Sequence, residues 1–444
     1  MPYTLELIQF LLKSSKEQIE DYIEDIHPAD ILDAIHQYDG DKFQILNKLP
    51  DDIVADIIDQ AEDEEKYELL TMFPTAKQKE IVDEMSSDEL VDLLGSIDEE
   101  EKNSIIVKMD LEDAEEVKEL LAYHPHTAGG IMATEFVAIK ENMTVGETLK
   151  FLQKEAPDAE TAYYIYVLAN NGILKGVVSL RDIVVNDFNS LIIDIMNEKA
   201  ISVPVDMDQE EVGHIFEKYG FLTMPVVDHE NIMLGIVTVD DIMEILSKEH
   251  TEDLYRLAGL KEGEKVAGTI KESVKSRLPW LFVNLFTAIL AAATVSFFES
   301  TISQVVALAT FMPIVAGMGG NAGSQTLTIV IRGIALGELT FENAKKVLIK
   351  EIGVGLSNGL ILGLAVAALG YIWEKKPVFG LVIGIAMFLN LVAATTAGYI
   401  VPVTLKKLKI DPALASAVFV TTVTDVLGFF FFLGLATIFI SHLI

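Results

Sequence analysis

An acid inside an apolar run is the first place to look for chemistry, and this chain has one at Asp425. It interrupts the hydrophobic stretch that opens at Asp411-Pro412-Ala413-Leu414 and closes near Ile440. A carboxylate at membrane depth costs about 2.5–3.5 kcal/mol on insertion scales, so it marks an ion or proton pathway unless neighbouring hydroxyls hold it for packing alone. Asp411-Pro412 reads as the N-cap of this helix. Asp425 follows Asp411 by 14 residues. At about 100° and 1.5 Å per residue the two acids share nearly one face, about 21 Å apart in height. Thr421 and Thr422 precede Asp425 by four and three residues and line its approach. A single such acid is a poor divalent site; a twofold dimer would bring two copies together on its axis.

A second polar set lies in the run Pro313-Ile314-Val315-Ala316-Gly317-Met318-Gly319-Gly320-Asn321-Ala322-Gly323-Ser324-Gln325. Clustered glycines inside a span permit close backbone approach or a broken helix. Asn321, Gln325, Thr328 and Arg332 fall at helical spacing and form one polar stripe, expected to face the Asp425 segment across a pore. The run has no Lys-Ser/Thr of a phosphate loop. Oxygen ligands without cysteine or clustered histidine disfavour zinc, copper and iron and favour Mg²⁺, Ca²⁺ or Mn²⁺. Mg²⁺, held through its waters by one or two carboxylates, suits two acids in a wide polar pore better than a tight Ca²⁺ cage does. An inward divalent ion gains about 4.6 kcal/mol per 100 mV, twice the single-charge figure, so a passive gated pathway suffices.

These residues sit at the end of a chain divided by charge. The chain is 444 residues long with a net charge of −35. Residues 1–130 carry 35 acids against 10 bases, residues 131–275 carry 26 against 13, and residues 276–444 carry 7 against 10. Two or three domains are expected at this length. An acidic front end excludes nucleic acid as a partner, because a phosphate backbone rewards basic patches. There is no cysteine, hence no disulfide or thiolate metal site. The N-terminal MPYTLELIQFLLKSSKEQ lacks a basic n-region and a long apolar core, so no signal peptide is expected.

Residues 1–130 read as short stacked helices in a superhelical arrangement, with apolar residues such as Ile53, Ile57 and Ile58 at helical spacing. Caps fall at Pro50-Asp51-Asp52, Ser86-Ser87-Asp88-Glu89 and Ser96-Ile97-Asp98-Glu99. From 131 to 248 strands and helices alternate, and a repeat can be aligned. Gly176, Ser179 and Asp182 precede Gly235, Thr238 and Asp241 by 59 residues; Thr144-Val145-Gly146-Glu147 precedes Asp208-Gln209-Glu210-Glu211 by 64. Two β-α-β-β-α copies with a Gly-x-x-Ser/Thr-x-x-Asp signature resemble a tandem CBS module. In that family the Ser/Thr and Asp can contact the ribose of an adenine nucleotide, which here points to Ser179, Arg181 and Asp182, with ATP as a modulator. The competing reading is that Ser179, Asp182, Thr238 and Asp241 cap their helices.

Residues 249–276 read as one connecting helix, within a helical stretch from 242 in which Glu244, Glu249, Glu252 and Asp253 are followed by Lys265, Lys271, Lys275 and then Arg277 at the membrane domain. Residues 277–444 then hold five apolar runs of spanning length, at roughly 278–298, 302–331, 347–373, 378–403 and 413–440. Lys275, Arg277, Arg332, Lys345, Lys346, Lys350, Lys406, Lys407 and Lys409 fall on one side, which puts residues 1–277 in the cytoplasm and the C-terminus outside the cell membrane.

Domain order, the Pro313…Gly-Gly-Asn-Ala-Gly-Ser-Gln325 run and the Asp411-Pro-Ala-Leu-Ala-Ser…Thr-Thr-Val-Thr-Asp425 run together closely resemble the MgtE magnesium channels. The resemblance implies a homodimer in the lipid bilayer, with its pore lined mainly by the second and fifth spans. In it the residue matching Asp425 holds hydrated Mg²⁺ and the residue matching Asp411 stands at the cytoplasmic mouth. An Asn found in some members is Ala417 here, so its contribution is missing or replaced. The resemblance further implies that acids of the helical domain meet acids of the CBS module and connector, where intracellular Mg²⁺ bridges them and closes the channel. By position these are Asp56, Asp88 and Asp92, and on the other side Asp208, Glu210, Asp241, Glu249, Glu252 and Asp253. A secondary transporter coupled to protons or Na⁺ is the nearest alternative, and a membrane-anchored sensor a more distant one. No nucleophile–base set suggests an enzyme.

Overall fold

Short amphipathic segments with frequent caps cannot make long helices, and the N-terminal residues fold accordingly. A computed structural model describes residues 2–444 other than 24–25, 156–158, 160, 261–263, 265, 267, 341 and 414–415. It divides into two compact units, 1–246 and 247–444.

The first unit opens with α1 (Pro2–Lys13), α2 (Lys16–Ile23), α3 (Pro28–His36), α4 (Phe43–Leu46), α5 (Asp51–Asp59), α6 (Asp63–Thr71), α7 (Thr75–Val82), α8 (Ser87–Gly95), α9 (Glu99–Ile106) and α10 (Leu111–Leu120). Their apolar faces share one continuous core that includes Ile31, Ile57, Leu69, Ile81 and Leu93. Ser86 and Glu89 close a capping box on α8, and the Asp98 carboxylate accepts from the amides of Glu100 and Glu101 at 3.0 Å. Pro50 stands at the α5 cap without a side-chain bond, with Asp51 and Asp52 in the first turn instead. Lys48 Nζ, from the turn after α4, donates to the carbonyls of Leu11, Leu12 and Ser14 and so satisfies the end of α1.

The β-rich part follows as β1 (Phe136–Lys140), α11 (Val145–Glu155), β2 (Thr161–Leu168), β3 (Leu174–Ser179), α12 (Leu180–Val185), α13 (Ile192–Ile195), β4 (Val203–Pro204), α14 (Gln209–Tyr219), β5 (Thr223–Val227), β6 (Met233–Thr238) and α15 (Val239–Leu257). Two three-stranded sheets have the orders β1-β2-β3 and β4-β5-β6, each with a parallel first pair and an antiparallel second pair. The 59-residue repeat holds strand by strand. Tyr164 pairs with Ser179 and Val167 with Gly176, as Thr223 pairs with Thr238 and Val226 with Gly235. The copies also clasp each other reciprocally: Leu174 N donates to Asn231 O and Met233 N to Gly172 O. The buried Tyr166 hydroxyl meets Thr223 Oγ1 at 2.8 Å.

The signature glycine has a steric reason. A Cβ on Gly235 would lie 2.6 Å from Ala133 O, and one on Gly176 would lie 2.9 Å from Asn197 O. In each copy an extra segment bridges antiparallel to the last strand at this point, Ala133 to Ile236 and Asn197 to Val177. Only a residue without a side chain admits that backbone.

The second unit contains the end of α15, then α16 (Ile270–Phe297), α17 (Glu299–Gln304), α18 (Ala307–Ala335), α19 (Ala344–Glu374), α20 (Pro377–Lys407), α21 (Ser416–Ile438) and α22 (Ile440–Leu443). Helix α20 lies at the centre and packs on α18, α19 and α21. Four helices are long and apolar enough to cross a membrane: α16, α19, α20 and α21. Helix α18 is 29 residues long but falls outside that set among the described residues, because glycines and the polar stripe dilute its hydropathy. Apolar side chains such as Leu281, Phe282, Phe286 and Ile289 on α16 are exposed, as lipid-facing residues are.

Two expectations are corrected here. The connector is not one helix over 249–276: α15 ends at Leu257 near Gly259, whose φ is +71°, and α16 starts afresh with Thr269 as a capping-box N-cap. Lys265 lies outside the described residues. Asp411 does not cap the last spanning helix either, since α21 runs from Ser416; the Leu414-Ala415 part of that motif lies outside the described residues.

Replacing Gly235 by Ala should lower stability by about 1–3 kcal/mol because the opposing group is backbone and cannot yield. Gly95→Ala, at a helical position with open space around it, should instead raise stability by about 0.5–1 kcal/mol. Thermal unfolding of the detergent-solubilised protein measures both.

Candidate functional site

Helix α21 is apolar apart from Ser416, its threonines and Asp425. The Thr421 hydroxyl donates to Ala417 O at 2.8 Å, Thr422 to Val418 O at 2.6 Å and the buried Thr424 to Thr421 O at 2.9 Å. Asp425 is half-buried, and among the described residues no hydrogen bond or ion pair reaches its carboxylate. The reading in which hydroxyls hold this acid for packing therefore finds no support, because each of these hydroxyls donates to its own helix.

Helix α18 presents Asn321, Gln325, Thr328 and Arg332 on one exposed face, as the spacing predicts. Its opposite face, with Gly319, Gly323, Thr326 and Leu327, is buried. A Cβ on Gly323 would meet the Val420 side chain of α21 at 2.6 Å, so a side chain of α21 packs directly on the α18 backbone. Within one chain the stripe consequently points out of the bundle and does not face Asp425 across a gap.

Asp411 lies before α21, so the shared-face geometry with Asp425 does not apply. Its Oδ1 accepts from Ala413 N at 2.7 Å in an Asx turn. Its other oxygen is ion-paired with Arg256 of α15, which also holds Glu252. Burial, then the charges of Asp411 and Glu249, raise the carboxyl pKa of Asp253. Glu249, Glu252, Asp253 and Asp411 therefore share one electrostatic neighbourhood with an arginine in it.

Sequence reading overlooked a second acid. Glu351 of α19 is 2% exposed; it accepts from the Thr326 hydroxyl of α18 at 3.1 Å, and Lys350 Nζ lies 2.9 Å from its other oxygen. Flanked by Lys346 and Lys350, it reads in sequence as interfacial charge. Its partners mark it as a structural tie between α18 and α19, unlike Asp425.

In the first unit Asp56, Asp92 and Asp208 are exposed, while Asp88, Glu210 and Asp241 are partly buried. Asp208 caps α14 by accepting from Glu210 N at 3.0 Å. Asp88 accepts from the Ser86 hydroxyl at 2.6 Å. Beside it Glu135, also unanticipated, accepts from Ser87 N at 3.0 Å, Ser87 Oγ at 2.8 Å and Thr134 N at 2.9 Å. It thereby seats a carboxylate on the α8 N-terminus. Burial raises the Asp88 carboxyl pKa, and the Glu135 charge adds to it. Glu135, Asp83, Glu84, Asp113 and Glu116 line a cavity of about 460 Å³. Among the described residues no three acids or histidines converge as a ready-made metal cage.

At the repeat signature the capping reading is realised. Ser179 Oγ lies 2.6 Å from Asp182 Oδ2 and accepts from Asp182 N at 3.1 Å. The Thr238 hydroxyl likewise donates to the Asp241 carboxylate. Arg181 is exposed.

Helices long and apolar enough to cross a membrane, an acid within one of them that has no partner among the described residues, and a pair of β-α-β-β-α copies thus stand together in one chain. The divalent cation transporter family MgtE matches residues 312–435, the MgtE intracellular N domain residues 26–126, and CBS domains residues 128–187 and 192–248. The magnesium transporter MgtE of Thermus thermophilus is 38% identical over 439 residues, 97% of each chain. That of Enterococcus faecalis is 39% identical over 333 residues, 75% of this chain and 73% of the relative. A solved cytosolic domain of the Mg²⁺ channel MgtE in complex with ATP is 38% identical, with a TM-score of 0.52, and covers 55% of this chain and 99% of its own. The chain belongs to the MgtE family of magnesium transporters.

The raised Asp88 carboxyl yields a signed prediction. A folded pKa above the unfolded one gives stabilisation that is complete below the unfolded pKa and lost as pH rises through the folded pKa. Ionised Asp88 therefore costs stability at neutral pH. Asp88→Asn should raise the thermal midpoint at pH 7 without divalent ions, and the gain over wild type should vanish at acid pH; thermal scans across pH check it.

Proposed function

We propose that the chain is one subunit of a homodimeric, Mg²⁺-selective channel that admits magnesium down its electrochemical gradient and is closed by intracellular Mg²⁺. Five spans per subunit, α18 included, place the N-terminus in the cytoplasm and the C-terminus outside, in keeping with the basic residues near Arg277, Arg332 and Lys406. The observation that carries the reading is Asp425: an acid in an apolar helix, in a magnesium-transporting family, with no partner among the described residues to explain it. Two copies across a twofold axis, with the outward-facing Asn321–Gln325 stripe beside them, would take a hydrated ion through its waters. The voltage supplies about 4.6 kcal/mol per 100 mV for a divalent ion, so no coupled ion is needed.

Closure follows from charge. Asp56, Asp88, Asp92, Asp208, Glu210 and Asp241 in the first unit, and Glu249, Glu252 and Asp253 in the second, are the sensor ligands, while Asp411 stands at the cytoplasmic mouth of the pore. Their mutual repulsion is relieved by divalent ions, which favour the compact arrangement by differential affinity. ATP binds as a modulator at Ser179, Arg181 and Asp182; the ATP complex of the similar cytosolic domain supports this.

Asp425→Ala should fail to rescue a strain that needs added Mg²⁺ for growth, whereas wild type rescues it; full rescue by the variant would overturn the pore assignment. Single-channel currents above carrier turnover separate a channel from a coupled transporter. The cytosolic residues should become protease-resistant as Mg²⁺ rises from zero to high millimolar, and indifference to Mg²⁺ would sink the gating scheme.

A further inference from the structure

Helices α18 and α21 meet with α20 as the third wall of their seam. The seam is layered one turn apart. Gly323 of α18 packs against Thr424 of α21 and the Ala394 carbonyl of α20. One turn along, Gly319 and Gly428 close on Asn390. A Cβ on Gly319 would lie 2.2 Å from Asn390 Nδ2, and one on Gly428 would lie 2.7 Å from the same atom. The carboxamide is therefore clasped between two backbones with no side chain in between.

Asn390 is 0% exposed. Its Nδ2 donates to Val315 O of α18 at 2.8 Å, while Oδ1 has no partner among the described residues. Leaving a buried carbonyl unpaired costs about 1–3 kcal/mol. An alanine would carry no such penalty but would leave the two glycines without a spacer between them. What the amide contributes is a fixed thickness and one directional bond to α18. Asp425 lies three residues from Gly428, and Asn321 two residues from Gly319.

We propose that Asn390 is a positioning residue that sets the separation of α18 from α21, and with it the distance between the Asn321–Gln325 stripe and Asp425 that determines which hydrated ion is admitted. The proposal rests on the channel reading above.

The test is uptake of Mg²⁺ and of Ca²⁺ by full-length protein in liposomes. Asn390→Ala should lower the Mg²⁺-to-Ca²⁺ uptake ratio by about fivefold or more, the equivalent of about 1 kcal/mol, and Asn390→Ser should shift it in the same direction if the alanine variant folds poorly. Gly428→Ala should cut Mg²⁺ uptake about tenfold through its clash with the amide, and adding Asn390→Ala should restore most of it. A general structural defect would depress both ions equally. An unchanged ratio, or a double variant no better than Gly428→Ala, overturns the inference while wild-type Mg²⁺ uptake leaves the channel reading standing. No uptake by wild type overturns both.

Discussion

Hydrocarbon offers no water to a polar group, and this constraint sorts the polar residues of the second unit into kinds. Glu351 is buried and tied to Thr326, so its charge joins two helices. Asn390 is buried and half-satisfied, held by one carbonyl and two glycines. Asp425 alone of the three is partly exposed, and among the described residues no bond reaches it. Arrangement, more than residue type, separates an acid left open to solvent from the acid that ties two helices together.

The first unit faces the opposite problem, an excess of charge in water. Capping takes up part of it: Asp98 and Asp208 each secure a helix start, and Glu135 bonds the start of α8. Lysines pair with others, such as Glu65, Asp59 and Asp51, while burial and then the Glu135 charge raise the carboxyl of Asp88. A unit built this way gains from cations without needing a preformed cage, which agrees with the lack of three converging acids among the described residues.

Features that depend on short-range periodicity were legible in the sequence. The 59-residue repeat appears in the strand registers, because a turn and an alternating strand fix pairing locally. The α18 stripe was legible for the same reason. Features that depend on distant partners were not. Asp411 looks like a helix cap, but its oxygens are engaged by Ala413 N and by Arg256 of a remote helix. Glu351 looks interfacial until Thr326 is seen above it. The break near Gly259 follows from a left-handed glycine that an amphipathic pattern does not reveal. Asn390 is one polar letter in an apolar run, and only the glycines of two other helices give it meaning.

The threonines beside Asp425 carry a consequence for the sign of the ion. Each of Thr421 and Thr422 has its single proton committed to a carbonyl one turn back. Thr328 on α18 does the same toward Ser324 O at 3.0 Å. What such hydroxyls can turn toward a passing hydration shell is lone pairs only. Water around a cation points its hydrogens outward and finds acceptors on such a wall. Water around an anion points its oxygens outward and finds no donor in these hydroxyls. Hydrogen bonds internal to two helices thus give the three threonines an acceptor polarity of their own, independent of any formal charge.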